Sequence, residues 1–120
     1  MKLEYLGEKI FLQEVAAVGE VWMVKGINQN VYALELDETG YSLPVWSHRA
    51  RAVEYLTNAR LVGSQYEPFA VPLDVFTQAW LSDKTRDISE LLINLDGQST
   101  RALVLTIDEF RASQEYKKAS

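Results

Sequence analysis

EVWMVKGINQNVYALELDETGYSLPVW, residues 20–46, decides the fold, because it holds three β runs separated by two turn signals. Glu20 to Lys25 is dense in strand formers. It ends at Gly26-Ile27-Asn28-Gln29-Asn30, whose Gly and Asn residues suit a reversal. Val31 to Leu36 follows, with Tyr32, Leu34 and Leu36 on one face of the pleat. Asp37-Glu38-Thr39-Gly40 has the composition of a tight hairpin loop. The third run, Tyr41 to Trp46, sends Tyr41, Leu43 and Val45 inward. Pro44 has no N–H to give to a ladder, so this strand is expected at an edge or bulged.

Working outward, Glu8 to Val18 predicts a helix. Phe11, Leu12, Val15, Ala16 and Gly19 form its apolar stripe, while Lys9, Gln13 and Glu14 face water. On the other side, Ser47 is placed to cap a helix from His48 to Ala59, buried through Ala52, Val53, Leu56 and Ala59. Leu61 to Val71 predicts an irregular segment with a short strand at Pro68–Val71. Pro72 opens a third helix through Trp80, with Leu73, Phe76 and Trp80 on one face. After a polar loop, Ser82 to Asp87, a hairpin pairs Leu91–Leu95 with Arg101–Leu105 around Asp96–Thr100. Thr106-Ile107-Asp108-Glu109 is a capping box that starts a last helix, packed through Ile107 and Phe110. The tail from about residue 113 is expected to fray. The order is α-β-β-β-α-β-α-β-β-α, an α+β two-layer sandwich: a mainly antiparallel sheet with helices mostly on one face.

A chain of 120 residues suits one domain, 1–120, with a core of its own. Without cysteine it has no disulfide framework and no thiolate metal site. The acidic residues near Met1 do not suit a signal peptide, and no apolar run reaches the ~18 residues of a membrane span. A cytoplasmic location is expected, with no membrane partner. Residues 1–45 carry three lysines against seven acids, whereas the rest is nearly balanced, nine basic to ten acidic. That asymmetry argues against nucleic acid, which needs clustered cations, and suits a basic protein partner.

Glu20-Val21-Trp22, Tyr32-Ala33-Leu34 and Leu43-Pro44-Val45-Trp46-Ser47-His48 resemble a bacterial family, domain of unknown function number twenty-seven fifty. Tyr66-Glu67-Pro68, Pro72-Leu73, Phe76 and Trp80-Leu81 continue the resemblance in order, up to about Phe110. The family has proline where Ser47 stands here. The resemblance implies a fold and no activity, so no catalytic residue carries over.

Two clusters have chemical potential. Ser47, His48, Arg49 and Arg51 gather at a helix start, where free N–H groups and the helix dipole favour an anion. With Trp46 as a flat wall, they are a candidate site for a carboxylate or phosphate. His48 is the only histidine, no Gly-x-Ser-x-Gly elbow exists, and the acids lack a calcium-loop pattern. No catalytic residue, metal site or cofactor is therefore expected. The second cluster is Trp22 and Trp46, each on the strand face opposite its core-facing neighbours. On a sheet covered on one side only, they form an exposed aromatic patch. The expected function is a non-catalytic protein-binding or self-associating module working through that patch. The alternative is a protein that binds, or acts on, a small anionic molecule near His48.

Overall fold

The computed structural model describes residues 3–36, 40–59, 65–82, 87–98 and 102–119. Its elements follow the expected order: α1 (Leu3–Val18), β1 (Glu20–Gly26), β2 (Leu34–Leu36), β3 (Gly40–Val45), α2 (Arg49–Ala59) and β4 (Tyr66–Pro72). Next come α3, β5 (Ile88–Ile93), β6 (Leu103–Thr106) and α4 (Ile107–Ala119). We use α3 for an α-helical turn, Leu73–Val75, that runs directly into a π-helical segment, Phe76–Trp80. The expected loop positions 37–39, 61–64, 83–86 and 99–100 lie outside the described residues. So does residue 101, at the start of the last expected strand.

Local chemistry accounts for most boundaries. Helix α1 stops where Gly19 takes φ 80 and its N–H bonds Val15 O at 2.8 Å, a left-handed end that glycine adopts without strain. The capping box at α4 forms in both directions. Glu109 N–H donates to Thr106 Oγ1 at 3.1 Å, and Thr106 N–H donates to Glu109 Oε1 at 2.9 Å. In α3 the Leu81 N–H reaches back five residues to Phe76 O, widening the turn so that Phe76 and Trp80 stack at 6.4 Å.

The strands form two sheets rather than one. β1 pairs antiparallel with β4, while β2-β3-β5-β6 make the second sheet. Within the second, β2–β3 and β5–β6 are antiparallel and β3–β5 is parallel. The parallel pair follows from the long return through α2, β4 and α3, which brings the chain back to β3 in its own direction. The sheets are joined by Trp22 and Trp46, whose N–H and C=O groups bond each other reciprocally at 2.9 and 2.8 Å. A second bridge links Lys25 to Val31, so only the end of the expected 31–36 strand pairs with β3.

Pro44 lies in the interior strand β3, not at an edge. Strand N–H groups alternate sides, and Val45 O accepts Asn94 N–H toward β5 while Trp46 bonds toward β1. Pro44 therefore shares the side of Trp46. There β2 contacts end at Ser42 and β1 contacts begin at Trp46, so the missing N–H falls in the gap. The irregularity expected near Pro44 sits instead between Tyr41 and Ser42. It leaves Tyr41 39% exposed rather than inward and buries Ser42.

Both faces of β1 are buried. Val21 and Met23 join Phe11 and Val15 of α1, Leu43, Val45, Leu91, Ile93, Phe76 of α3 and Phe110 of α4 in the larger core. Val24 and Trp46 join Ala52, Tyr55 and Leu56 of α2 in a second one, against which Trp22 packs. Three helices thus share one face and α2 covers the other. Removing the cap hydroxyl by Thr106→Ala should cost about 1 kcal/mol in urea denaturation, with the α4 backbone otherwise intact.

Candidate functional site

The start of α2 does bring charged groups together, but around an anion supplied by the chain itself. Arg51 grips Glu14 of α1 with two parallel bonds, Nε to Oε1 and Nη2 to Oε2, each 3.1 Å. The Ser47 hydroxyl donates to Glu14 Oε1, and His48 Nε2 lies 3.6 Å from Oε2. Asn94, held in the left-handed region at φ 50, accepts the Ser47 N–H on Oδ1 at 3.0 Å. Glu14 was expected to face water. Its side chain instead reaches the start of α2, where Ser47, His48 and Arg51 leave it 26% exposed. Burial pushes its pKa up, but the hydrogen bonds from Arg51 and Ser47, with the charges of Arg51 and His48, outweigh that and hold it below its usual value.

The expected anion site is therefore corrected. Ser47, His48 and Arg51 converge as foreseen, yet their donors already face Glu14. Ser47 is fully buried and lies two residues before the first helical residue, Arg49. Arg49 is exposed and stands outside the cluster.

The exposed tryptophan patch is also corrected. Trp46 is buried, with its indole Nε1–H donating to Leu95 O at 2.7 Å and its ring 5.2 Å from Tyr55. Trp22 is half-buried against the same cluster. The covering layer is α2, tied to the loop after β5 by Asn58 Nδ2 donating to Asp96 O at 2.8 Å. Burial, then the hydrogen bond with the Tyr32 hydroxyl, pushes the Tyr55 phenol well above its ordinary range. It acts as a packed, neutral hydrogen-bonding group.

A concave surface lies at the other end of β3. A cleft of about 470 Å³ is lined by Gln29, Asn30, Val31, Ala33, Tyr41, Leu43, Trp80 and Ile88. The 26–31 turn forms one wall: Gly26 N–H bonds Asn30 O at 2.9 Å, and Gln29, in the left-handed region at φ 69, donates to Gly26 O. Strand pairing supplies the floor, since Tyr41 is flanked by Glu35 on β2 and Ile88 on β5. Trp80 closes the cleft from α3 and packs on Phe69 at 6.1 Å. The lining holds amides, aromatic rings and aliphatic groups, with no carboxylate, imidazole or amine. Among the described residues, no three of His, Cys, Asp and Glu gather where a metal ion could be held, and no helix is long and apolar enough to cross a membrane.

None of these lining residues was legible as a site. Tyr41 and Trp80 have apolar spacing that points to core, Gln29 and Asn30 carry only a turn signal, and Ile88 precedes the expected strand. Their convergence depends on the β3–β5 pairing and on the wide turn at Phe76–Trp80.

A family model matches residues 9–113, from within α1 to within α4. The chain belongs to DUF2750. That family is described as protein of unknown function, and the matched span of this DUF2750 chain includes both the Glu14 cluster and the cleft. No curated protein matches the DUF2750 chain. Among solved structures it is similar to Anabaena Tic22, described as a protein of protein transport, with 14% identity and a TM-score of 0.46. The match covers 78% of this chain and 46% of that one, so the chain spans less than half of Tic22.

Glu14 makes the α1–α2 contact dependent on pH. Because its folded pKa is depressed, its stabilisation is fully present above the ordinary value of 4.5 and is lost as pH falls through the folded value. Glu14→Gln should therefore lower stability near neutral pH, and the gap to the parent should close in acid as the parent carboxylate protonates. Urea denaturation of both proteins across that range measures this.

Proposed function

We propose that this DUF2750 protein is a non-catalytic protein-binding module whose binding surface is the cleft between the 26–31 turn, Tyr41, Ile88 and Trp80. The cleft's lining carries the reading, because apolar walls and a few amide groups bind and orient a chain but do not move protons near neutral pH. The cleft opens to solvent, which suits a segment of chain laid on it better than an enclosed small molecule. Ile27, at the tip of the same turn and 82% exposed, adds an apolar contact beside it. We place the module in the cytoplasm, where a chain without cysteine needs no oxidising environment. The other reading, a small anion at the start of α2, requires a ligand that displaces the Glu14 carboxylate from Arg51 and Ser47.

Peptides selected from a random library against the folded protein test the reading. In ¹⁵N-labelled protein they should shift the amides of Val31, Ala33, Tyr41 and Ile88 and the Trp80 indole. Tyr41→Ala should weaken binding about tenfold without unfolding, since its ring is 39% exposed and aromatic anchors carry interface energy. Shifts confined to His48, Arg49 and their neighbours would sink the proposal.

A further inference from the structure

We infer that the partner segment taken by this cleft is basic as well as apolar: an extended stretch in which lysine or arginine alternates with aliphatic or aromatic side chains. This rests on the binding reading above and adds the charge of the partner.

Two carboxylates stand on either side of Tyr41. Glu35 is its direct cross-strand partner on β2, so both side chains leave the same face of the sheet. Asp87 precedes Ile88, and its carbonyl accepts the Tyr41 N–H at 2.8 Å. Glu35 and Asp87 are both exposed, and neither carboxylate has a hydrogen-bond or ion-pair partner among the described residues. Asp87 is held in place by close packing. Gly40, at φ 98, brings its Cα against the Asp87 carboxyl, and any Cβ there would come within 2.8 Å of the carboxyl carbon. Asp87 itself adopts φ 52, a conformation that Asp and Asn tolerate better than most residues.

Among the described residues, the lysine on the strand bridged to Val31 is already engaged. The Lys25 ammonium lies 3.8 Å from Glu67 Oε1 and 5.4 Å from the centre of the Phe69 ring. Among the described residues, Glu35 and Asp87 therefore set negative charge, with no cation paired to it, on β2 and just before β5, the strands that flank the exposed Tyr41 ring, the arrangement that attracts an ammonium or guanidinium group. A second copy of the chain fits poorly. It brings a net charge of −5, and pairing two clefts sets Glu35 and Asp87 of each against those of the other.

Three short peptides test the inference: lysine alternating with leucine, glutamate alternating with leucine, and lysine alternating with serine. Each is titrated into ¹⁵N-labelled full-length protein. The lysine–leucine peptide should shift Val31, Ala33, Tyr41 and Ile88 and weaken with added salt, and the other two should leave these residues unmoved. Replacing Glu35→Lys together with Asp87→Asn removes this negative charge while keeping a residue that tolerates the backbone at position 87. That variant should bind the lysine–leucine peptide about tenfold more weakly, with an unchanged urea midpoint. If Asp87→Asn disturbs the fold, Glu35→Lys alone should give a smaller loss in the same direction. Equal binding of the lysine–leucine and glutamate–leucine peptides at the cleft, or an unchanged preference in either variant, overturns the basic-partner inference and leaves the binding reading standing. Concentration-dependent dimerisation through the same residues overturns it as well. Failure of the library-selected peptides to reach the cleft removes both.

Discussion

The reciprocal backbone bonds between Trp22 and Trp46 are the constraint on which the rest of the fold depends. β1 and β4 alone are a two-stranded ribbon, a unit that is marginal by itself in water. Coupling β1 to the end of β3 places it between α1 and α2, so both of its faces are buried. Pro44 helps this handover. With no N–H to direct at a neighbour, it sits where β3 has left β2 and not yet met β1.

β3 links two ends of different character. At its C-terminal end the chain closes on itself: Trp46 is buried, Ser47 bonds Glu14 and Asn94, and Arg51 holds the Glu14 carboxylate in a bidentate pair. The groups with the richest acid–base chemistry are spent there on tying the Glu14 side chain of α1 to the start of α2. At the N-terminal end the strand opens toward solvent through Tyr41, beside a cleft whose wall depends on the wide π turn that sets Trp80. The proposed binding surface lies at this open end.

Much of the fold was legible. The capping box at Thr106–Glu109, the turn at Gly26–Asn30 and the apolar spacing of Phe11 and Val15 are local signals, and each appears where expected. The opposite faces of Trp22 and Val21 were also legible, because strand alternation is local. What covers a face is not local. The patch at Trp22 and Trp46 disappears because α2 packs on it, and nothing in the spacing of α2 says which sheet face it meets. Glu14 has the spacing of a surface residue, and becomes a partner only through the approach of α2.

By itself, then, the sequence determined the element order, the caps and turns, the acidic balance and the absence of cysteine chemistry, since each depends on residues close in the chain or on composition alone. Only the tertiary structure decided the parallel β3–β5 pairing, the fate of Ser47, His48 and Arg51, and the gathering of Gln29, Tyr41, Trp80 and Ile88 into one cleft. These are contacts between segments tens of residues apart. Their geometry is set by which apolar faces bury one another, and that packing is a property of the whole chain rather than of any window within it.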